Sequence, residues 1–439
     1  MRIQSILGRR VYDSRGRPTI EAEVRLEGGA VGRAIAPAGA SKGSAEALDR
    51  RDGGTAFGGH GVATALAGIG ERIAPALSGM DAGDQATVDA ALIALDGTAT
   101  RSSLGANAMI AVSMAVAHAA AAAEGLPLWR RLLGGHEGLV MLPLPEIQIF
   151  GGGAHAAGRV DIQDFMVVCP GAATVEEAMA WTAEIYRAAG ELMAASGRLA
   201  GVADEGGWWP VFDGNEDALD MLMRAIERAG RRPGDEVAIS LDVAASEFGR
   251  DGTYRLALEK TELDRDGFLE RLAGWLDRYP ILSVEDPFGE DDPEGFLRFT
   301  RRFGRQVQVV GDDFLVTDAA RVRAAAQAGT ANAVLIKPNQ RGTLTETLAA
   351  WDAAKAYGMG GIVSARSGET EDTTIVDLAV GWQVPQLKVG SFSRSERMAK
   401  WNALLRIEEA LGERARFAGR TPYSASALPP SPASSSMSA

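Results

Sequence analysis

Residues 237–242 read VAISLD, and runs of the same kind return as ILSVED at 281–286, VQVVGDD at 307–313, AVLIK at 333–337, GGIVSAR at 360–366 and QLK at 386–388. Each is short and mostly apolar, and each carries a charged residue at or near its end: Asp242, Glu285, Asp312, Lys337, Arg366 and Lys388. Between most of them lie stretches of helical periodicity, such as DGFLERLAGWLDRYP at 266–280 and LTETLAAWDAAKAYG at 344–358. Apolar strands alternating with helices read as a parallel sheet covered on both faces. Units repeated in one series predict a closed (β/α) barrel, whose strand ends all open on one face. Three carboxylates, two lysines and an arginine are therefore expected around one pocket, a mixture suited to a divalent metal and an anionic substrate.

Outward from this core, LVMLPLPEIQIF at 139–150 supplies the first barrel strands, and the glycine-rich turn at 151–158 leads to a further strand. Residues 2–35 alternate apolar and polar around Gly28-Gly29, an antiparallel meander. The small-residue run from Ala38 to Ser44 is a plain loop by default, although such a loop can also close over a site. From Gly61 to about Leu133 the pattern is helical. The expected architecture is α/β: a smaller α+β domain over residues 1–133, a barrel over 134–422, and a Ser/Ala/Pro tail over 423–439 that reads as disordered.

The chain has 439 residues, 46% hydrophobic and 23% charged, which describes a soluble globular protein. A net charge of −13 argues against general binding to nucleic acid or anionic membranes, both of which need basic surfaces. Cys169 is the only cysteine, so no intrachain disulfide forms; it reads as a small buried hydrophobe in a reducing compartment. The start lacks a signal-peptide core, and the apolar window Ala106 to Ala123 is broken by Asn107, Ser113 and His118. That window reads as a buried helix rather than a membrane span, and the expected location is cytoplasmic.

Asp242, Glu285 and Asp312 close successive strands. Carboxylates gathered on adjacent strands repel unless a cation or proton is shared, and an all-oxygen set favours Mg²⁺ or Mn²⁺ over zinc. The plainer alternative is ion pairing with Lys337, Lys388 and Arg366. A lysine facing a metal and a second cation has a lowered pKa and can serve as a base, or it simply grips a carboxylate or phosphate. Arg366 and Ser367 suit a phosphate. Glu205, flanked by glycine in ADEGG, can reach a bound substrate from a loop, while His155 is a structural histidine by default and a site histidine on a lid in the sharper reading. GGGAHAAG completes neither a P-loop nor a dinucleotide fingerprint, so nucleotide binding through it is discarded.

The motifs YDSRGRPT, PAGASKG, SLGANA, DEGG, SLDVAASEF, SVEDPF, GDD, LIKPNQRGTLTET, SARSGETEDT and RSERMAKWNALLRIEEALG stand in the order in which the enolase family carries them. The chain resembles that family over nearly its whole length up to Pro422. The resemblance implies a modified (β/α)8 TIM-like barrel after an α+β domain, a pair of Mg²⁺ ions, and a homodimer or an octamer. It implies Asp242, Glu285 and Asp312 as ligands of one ion and Ser41 as a ligand of the other. Lys337 would remove the proton alpha to the carboxylate of 2-phosphoglycerate, and Glu205 would protonate the departing hydroxyl, with Asp164 among the catalytic groups. Lys388 would hold the carboxylate, Arg366 and Ser367 the phosphate, and Gln163 and His155 further parts of the substrate.

Several positions depart from the family pattern. Ala365 replaces the histidine of Ser-His-Arg-Ser, Asp164 replaces a glutamate, and the first loop reads PAGASK where PSGAST is usual. Trp208-Trp209 follow DEGG where smaller residues are typical. The implied activity is phosphopyruvate hydratase. The altered positions raise two alternatives: an enolase-like carboxyphosphonoenolpyruvate synthase of phosphonate metabolism, and a catalytically degenerate binding protein.

Overall fold

Eight strands close into a barrel. In chain order the strands are β1 Ile3–Tyr12, β2 Pro18–Leu26, β3 Val31–Ile35, β4 Val140–Leu142, β5 Leu144–Gly151, β6 Asp164–Val168, β7 Ala238–Asp242, β8 Gly249–Arg250, β9 Thr253–Leu256, β10 Thr261–Asp264, β11 Ile281–Glu285, β12 Gln308–Gly311, β13 Ala333–Ile336, β14 Gly360–Ser364, β15 Gln386–Ser391 and β16 Ala415–Phe417. The barrel runs β5-β6-β7-β11-β12-β13-β14-β15 and returns from β15 to β5. The structure is a computed structural model and describes residues 1–40 and 42–423.

The six apolar runs read from the sequence are β7 and β11 to β15, and they pair in parallel as expected. The periodicity did not reveal that β6 lies antiparallel to both β5 and β7. The link from β5 to β6 holds only a single helical turn, Gly153–Ala156, so no crossover helix intervenes and the chain doubles back. Register then aligns the chemistry. Asp242 on β7 stands opposite Glu285 on β11 and Asp164 on β6, and Lys388 on β15 stands opposite Ser364 and Glu146.

The helices between strands are capped by their own sequence. Asp264 accepts from Gly267 N and Asp292 from Gly295 N, in each case at the first turn. Thr343 Oγ1 accepts from Glu346 N at 3.3 Å and donates to Glu346 Oε2 at 3.0 Å, capping the helix Leu344–Ala356. Large apolar side chains such as Phe268, Trp275, Phe296 and Phe299 pack beneath these helices in the main core.

In the first domain, β1, β2 and β3 form an antiparallel meander laid on the helix Ala106–Ala123. The packing is close enough that a Cβ on Gly32 would sit 2.1 Å from Ala119 N, so only glycine fits there. That helix is the one candidate membrane span among the described residues, and 83% of its apolar window is buried inside the protein, as the sequence reading expected. Leu344 and Leu378 of the barrel domain pack into this first core, and Asp89 accepts from Thr345 N at 2.9 Å.

Residues 423–439 were expected to form a disordered tail. Residues 424–439 lie outside the described residues, but Tyr423 does not belong to a loose tail. It ends a turn spanning Thr421–Tyr423, and its hydroxyl accepts from Gln386 Nε2 at 3.1 Å. Cys169 is buried, and desolvation pushes its thiol up to about 12, in line with the small-hydrophobe reading.

Candidate active site

A narrow pocket opens at the C-terminal ends of the barrel strands and is lined by His155, Gln163, Asp164, Glu205, Asp242, Lys337, Ala365, Arg366, Ser367 and Lys388. Gly39 and Ala40 of the first domain close one side. The small-residue loop is therefore part of the wall rather than a plain connection. It is fastened there by reciprocal backbone bonds between Ala38 and Gly368, both 2.8 Å. Ser41, expected as a metal ligand, lies outside the described residues.

Lys388 stands at the centre. Its Nζ donates to Asp242 Oδ2 at 2.8 Å and Glu285 Oε2 at 2.9 Å, and lies 3.2 Å from Asp164 Oδ2. Lys337 Nζ pairs with Asp312 Oδ2, while Asp312 Oδ1 accepts from Gln340 Nε2 at 2.9 Å. Asp242, Glu285 and Asp312 thus converge on one strand-end region, but they do not form one tight trio. Among the described residues, the groups whose ligand atoms gather within 4.8 Å are the carboxylates of Asp286, Asp312 and Asp313, and separately the imidazole of His155 with the carboxylates of Asp164 and Glu205. Within the protein Lys388 pairs with Asp242 and Glu285, and Lys337 pairs with Asp312.

A lowered pKa was expected for a lysine that faces a metal and a second cation; the protein groups alone act on the two lysines as follows. Burial does pull Lys337 down most strongly, but Asp312 and Glu285 outweigh it and leave the amine above its ordinary value. Lys388 is likewise held high, by Asp242, Glu285 and Asp164 against the cost of burial. Desolvation, with Asp242 next, pushes Glu285 well above the carboxylate range. Desolvation with Asp312 beside it raises Asp313 to about 8. Asp164 goes the other way: burial raises it, but Lys388 and His155 overcome that and leave it low.

A hard cation fits this donor set. Glu285 Oε1 is buried without a hydrogen-bond partner among the described residues, and burial with Asp242 beside it holds the carboxyl toward the protonated form despite Lys388. Such an oxygen beside Asp242, with Asp312 on the next strand, is a set of oxygen donors only, which suits Mg²⁺.

On the other side of the pocket, His155 Nε2 lies 3.6 Å from Asp164 Oδ1 and 3.7 Å from Glu205 Oε1, which places the histidine in the site rather than in a remote core. Glu205 is positioned by backbone: its carbonyl accepts from Ser391 N at 3.0 Å, and Gly206 after it has φ +94°, where a Cβ would meet Ser393 O at 2.7 Å. Gln163 Nε2 donates to Asp242 Oδ2 at 3.0 Å, and its Oε1 is buried without a partner among the described residues. Trp208 does not enter the pocket lining. It stacks on Tyr186 at 4.7 Å and packs against Gly190, so this departure from the family pattern is absorbed by packing behind the loop.

Sequence reasoning missed several groups that shape the site. Glu46, in the loop after Ala40, holds Arg366 at 3.1 Å. Gln148 donates to Asp164, and Arg397 donates to the carbonyls of Arg366 and Ser367. Glu46 and Gln148 are isolated polar residues in sequence, and only long-range partners give them a role.

An α+β domain closing one side of an eight-stranded barrel, with lysines and carboxylates at the strand ends, defines a class of two-domain barrel proteins. The family model described as the enolase N-terminal domain matches residues 3–132, and that described as the enolase C-terminal TIM barrel domain matches residues 139–426. The chain belongs to the enolase family, a lyase-type family that generally uses Mg²⁺.

Proposed function

We propose that this protein is a Mg²⁺-dependent enzyme that removes the proton alpha to the carboxylate of a small phosphorylated acid, interconverting 2-phosphoglycerate and phosphoenolpyruvate. The observation that carries this reading is the pair of buried lysines, Lys337 and Lys388, facing carboxylates in one pocket that also holds Arg366 and Glu205. In this reading Lys388 binds the substrate carboxylate. Arg366 and Ser367 bind the phosphate. Lys337 Nζ in its neutral form takes the proton from the carbon next to the carboxylate, and the electron pair moves toward the carboxylate oxygens. The carbon–oxygen bond to the neighbouring hydroxyl then breaks, and Glu205 supplies the proton that lets the hydroxyl depart as water. Asp242, Glu285 and Asp312, with Ser41 for a second ion, would hold Mg²⁺, which supplies electrostatic stabilisation of the charge that builds on the carboxylate.

A homodimer is part of this reading, supported by Leu7 and Tyr12, which stand more than half exposed on the edge strand β1 at 54% and 55%. Adding 2-phosphoglycerate and Mg²⁺ to the full-length protein and following the ultraviolet absorbance of the enol phosphate tests the activity. A flat trace from folded protein that binds Mg²⁺ refutes it.

One observation favours a second reading. Ala365 is buried in the pocket wall and offers only a methyl group where the family pattern has an imidazole. With proton delivery weakened and space gained, the same site suits an enolase-like carboxyphosphonoenolpyruvate synthase. Mass spectrometry of products formed from an activated phosphonoformate donor, compared with the hydration assay, separates the two.

A further inference from the structure

Beside the central pocket lies a second, open cavity, and the two share the wall formed by Gly39 and Ala40. Its lining sets four permanent cations, Arg15, Arg17, Lys42 and Arg51, against two carboxylates, Asp13 and Asp49. This excess of positive charge stands in a chain whose net charge is −13, so composition alone does not account for it.

The cations are not equivalent. Arg51 is pinned: its guanidinium donates to the carbonyls of Pro18 at 2.7 Å and His60 at 3.2 Å, and to Asp49 at 3.1 Å. Asp49 is then shared with Lys42, whose Nζ is 3.8 Å away. Arg15 reaches inward to Ala38 O at 2.7 Å and Ser367 Oγ at 3.4 Å, linking this cavity to the wall of the central one. Asp13 shapes the turn that presents the pair, accepting from the backbone N–H of Arg15 at 2.9 Å and of Arg17 at 2.8 Å. The side chain of Arg17 is exposed and has no ion pair among the described residues. His60, on the same wall, is held below its ordinary value by burial and then by Arg17, Arg51 and Arg15, as expected in a positive field.

We propose that this outer cavity binds a tetrahedral oxyanion of the phosphate class, beside and separate from the anionic substrate of the central pocket. Guanidinium forks match such oxygens in pairs, and Gly58 and Gly59 on the rim leave backbone open to a close approach. A concave cationic cleft next to a reaction centre also concentrates a small anion more strongly than a flat patch does. The site is independent of which reaction the central pocket performs, because it uses none of the lysines or carboxylates assigned there.

The test is calorimetric titration of the full-length protein with inorganic pyrophosphate in the absence of Mg²⁺. The double variant Arg17→Ser, Lys42→Ser removes two exposed cations and is expected to weaken one class of binding by about tenfold. Arg17→Lys, which keeps the charge, is expected to recover part of that loss, a result that a merely structural role would not produce. Repeating the titration with inorganic phosphate and with phenyl phosphate identifies the source: tighter binding of the ester marks an organic ligand, and tighter binding of the free ion marks an inorganic one. Pyrophosphate binding that is unchanged in the double variant overturns the proposal.

Discussion

Arg366 Nη1 lies 3.1 Å from Glu46 Oε2 across the boundary between the two domains, and both side chains are almost fully buried, at 3% and 4% exposure. Glu46 also accepts from Gln340 Nε2 and from Gly43 N, each at 3.2 Å. One carboxylate therefore ties the first domain's loop to an arginine of the barrel site. Glu46→Ala leaves a buried guanidinium short of its counter-charge, and breaking such a pair costs about 3–5 kcal/mol. Chemical denaturation should report that loss, and Glu46→Gln, which keeps hydrogen-bonding capacity, should lose less.

Lys337 is assigned the proton-abstraction step. Lys337→Met removes the amine while keeping much of the volume, and is expected to slow exchange of the alpha proton of 2-phosphoglycerate with deuterated solvent by about 10²–10⁴-fold. Nuclear magnetic resonance of the substrate follows this exchange without requiring the hydroxyl to leave. Exchange at the wild-type rate would remove Lys337 from the role.

Ala365 tests the other half of the reaction. Its backbone N–H donates to Lys388 O at 2.9 Å, so its side chain is the part of this turn free to vary. Ala365→His should raise the dehydration rate by about tenfold or more if weakened proton delivery limits a hydratase. No gain, together with unchanged alpha-proton exchange, would favour the transferase reading.

Glu285 Oε1 has no hydrogen-bond partner among the described residues, and a cation should repair that. Adding Mg²⁺ at about 100 times its dissociation constant is expected to stabilise the fold by about 2.7 kcal/mol. Glu285→Gln should abolish most of the shift in melting temperature, and a chelator should reverse it in the wild type. An equal Mg²⁺ response in the variant would place the ion elsewhere.

Glu146, 1% exposed on β5, accepts from Gln386 Nε2 at 2.5 Å, and desolvation raises its pKa to about 7. The folded state therefore holds a proton that the unfolded chain releases near its ordinary value. This contribution to stability is full at low pH and is lost as pH rises from about 4.5 to about 7, at a cost of up to roughly 3 kcal/mol. Glu146→Gln should flatten that slope and make the protein more stable than the wild type near pH 8, as read by urea midpoints across pH. A parallel slope in both proteins would assign the titration to another group.

Some of this molecule could be read one residue run at a time. VAISLD, ILSVED and AVLIK are buried strands because unbroken apolar runs of that length can only be covered on both faces, and their terminal Asp242, Glu285 and Lys337 do reach the same end of the barrel. The same reasoning failed at Glu46 and at β6. Nothing near Glu46 distinguishes it from a surface glutamate, since its burial depends on Arg366, 320 positions away. The direction of β6 depends on the tight turn before it and on pairing with β7, not on its own apolar pattern.

The run of amino acids was sufficient for the barrel, for the α+β domain beside it and for the kinds of side chain at the strand ends, because periodicity and burial are local properties of a segment. Which carboxylate faces which amine was settled only by three-dimensional packing. Lys388 took Asp242 and Glu285, and Lys337 took Asp312. Strand register and the desolvation of each group decide such pairings, and both arise only when distant segments are brought together.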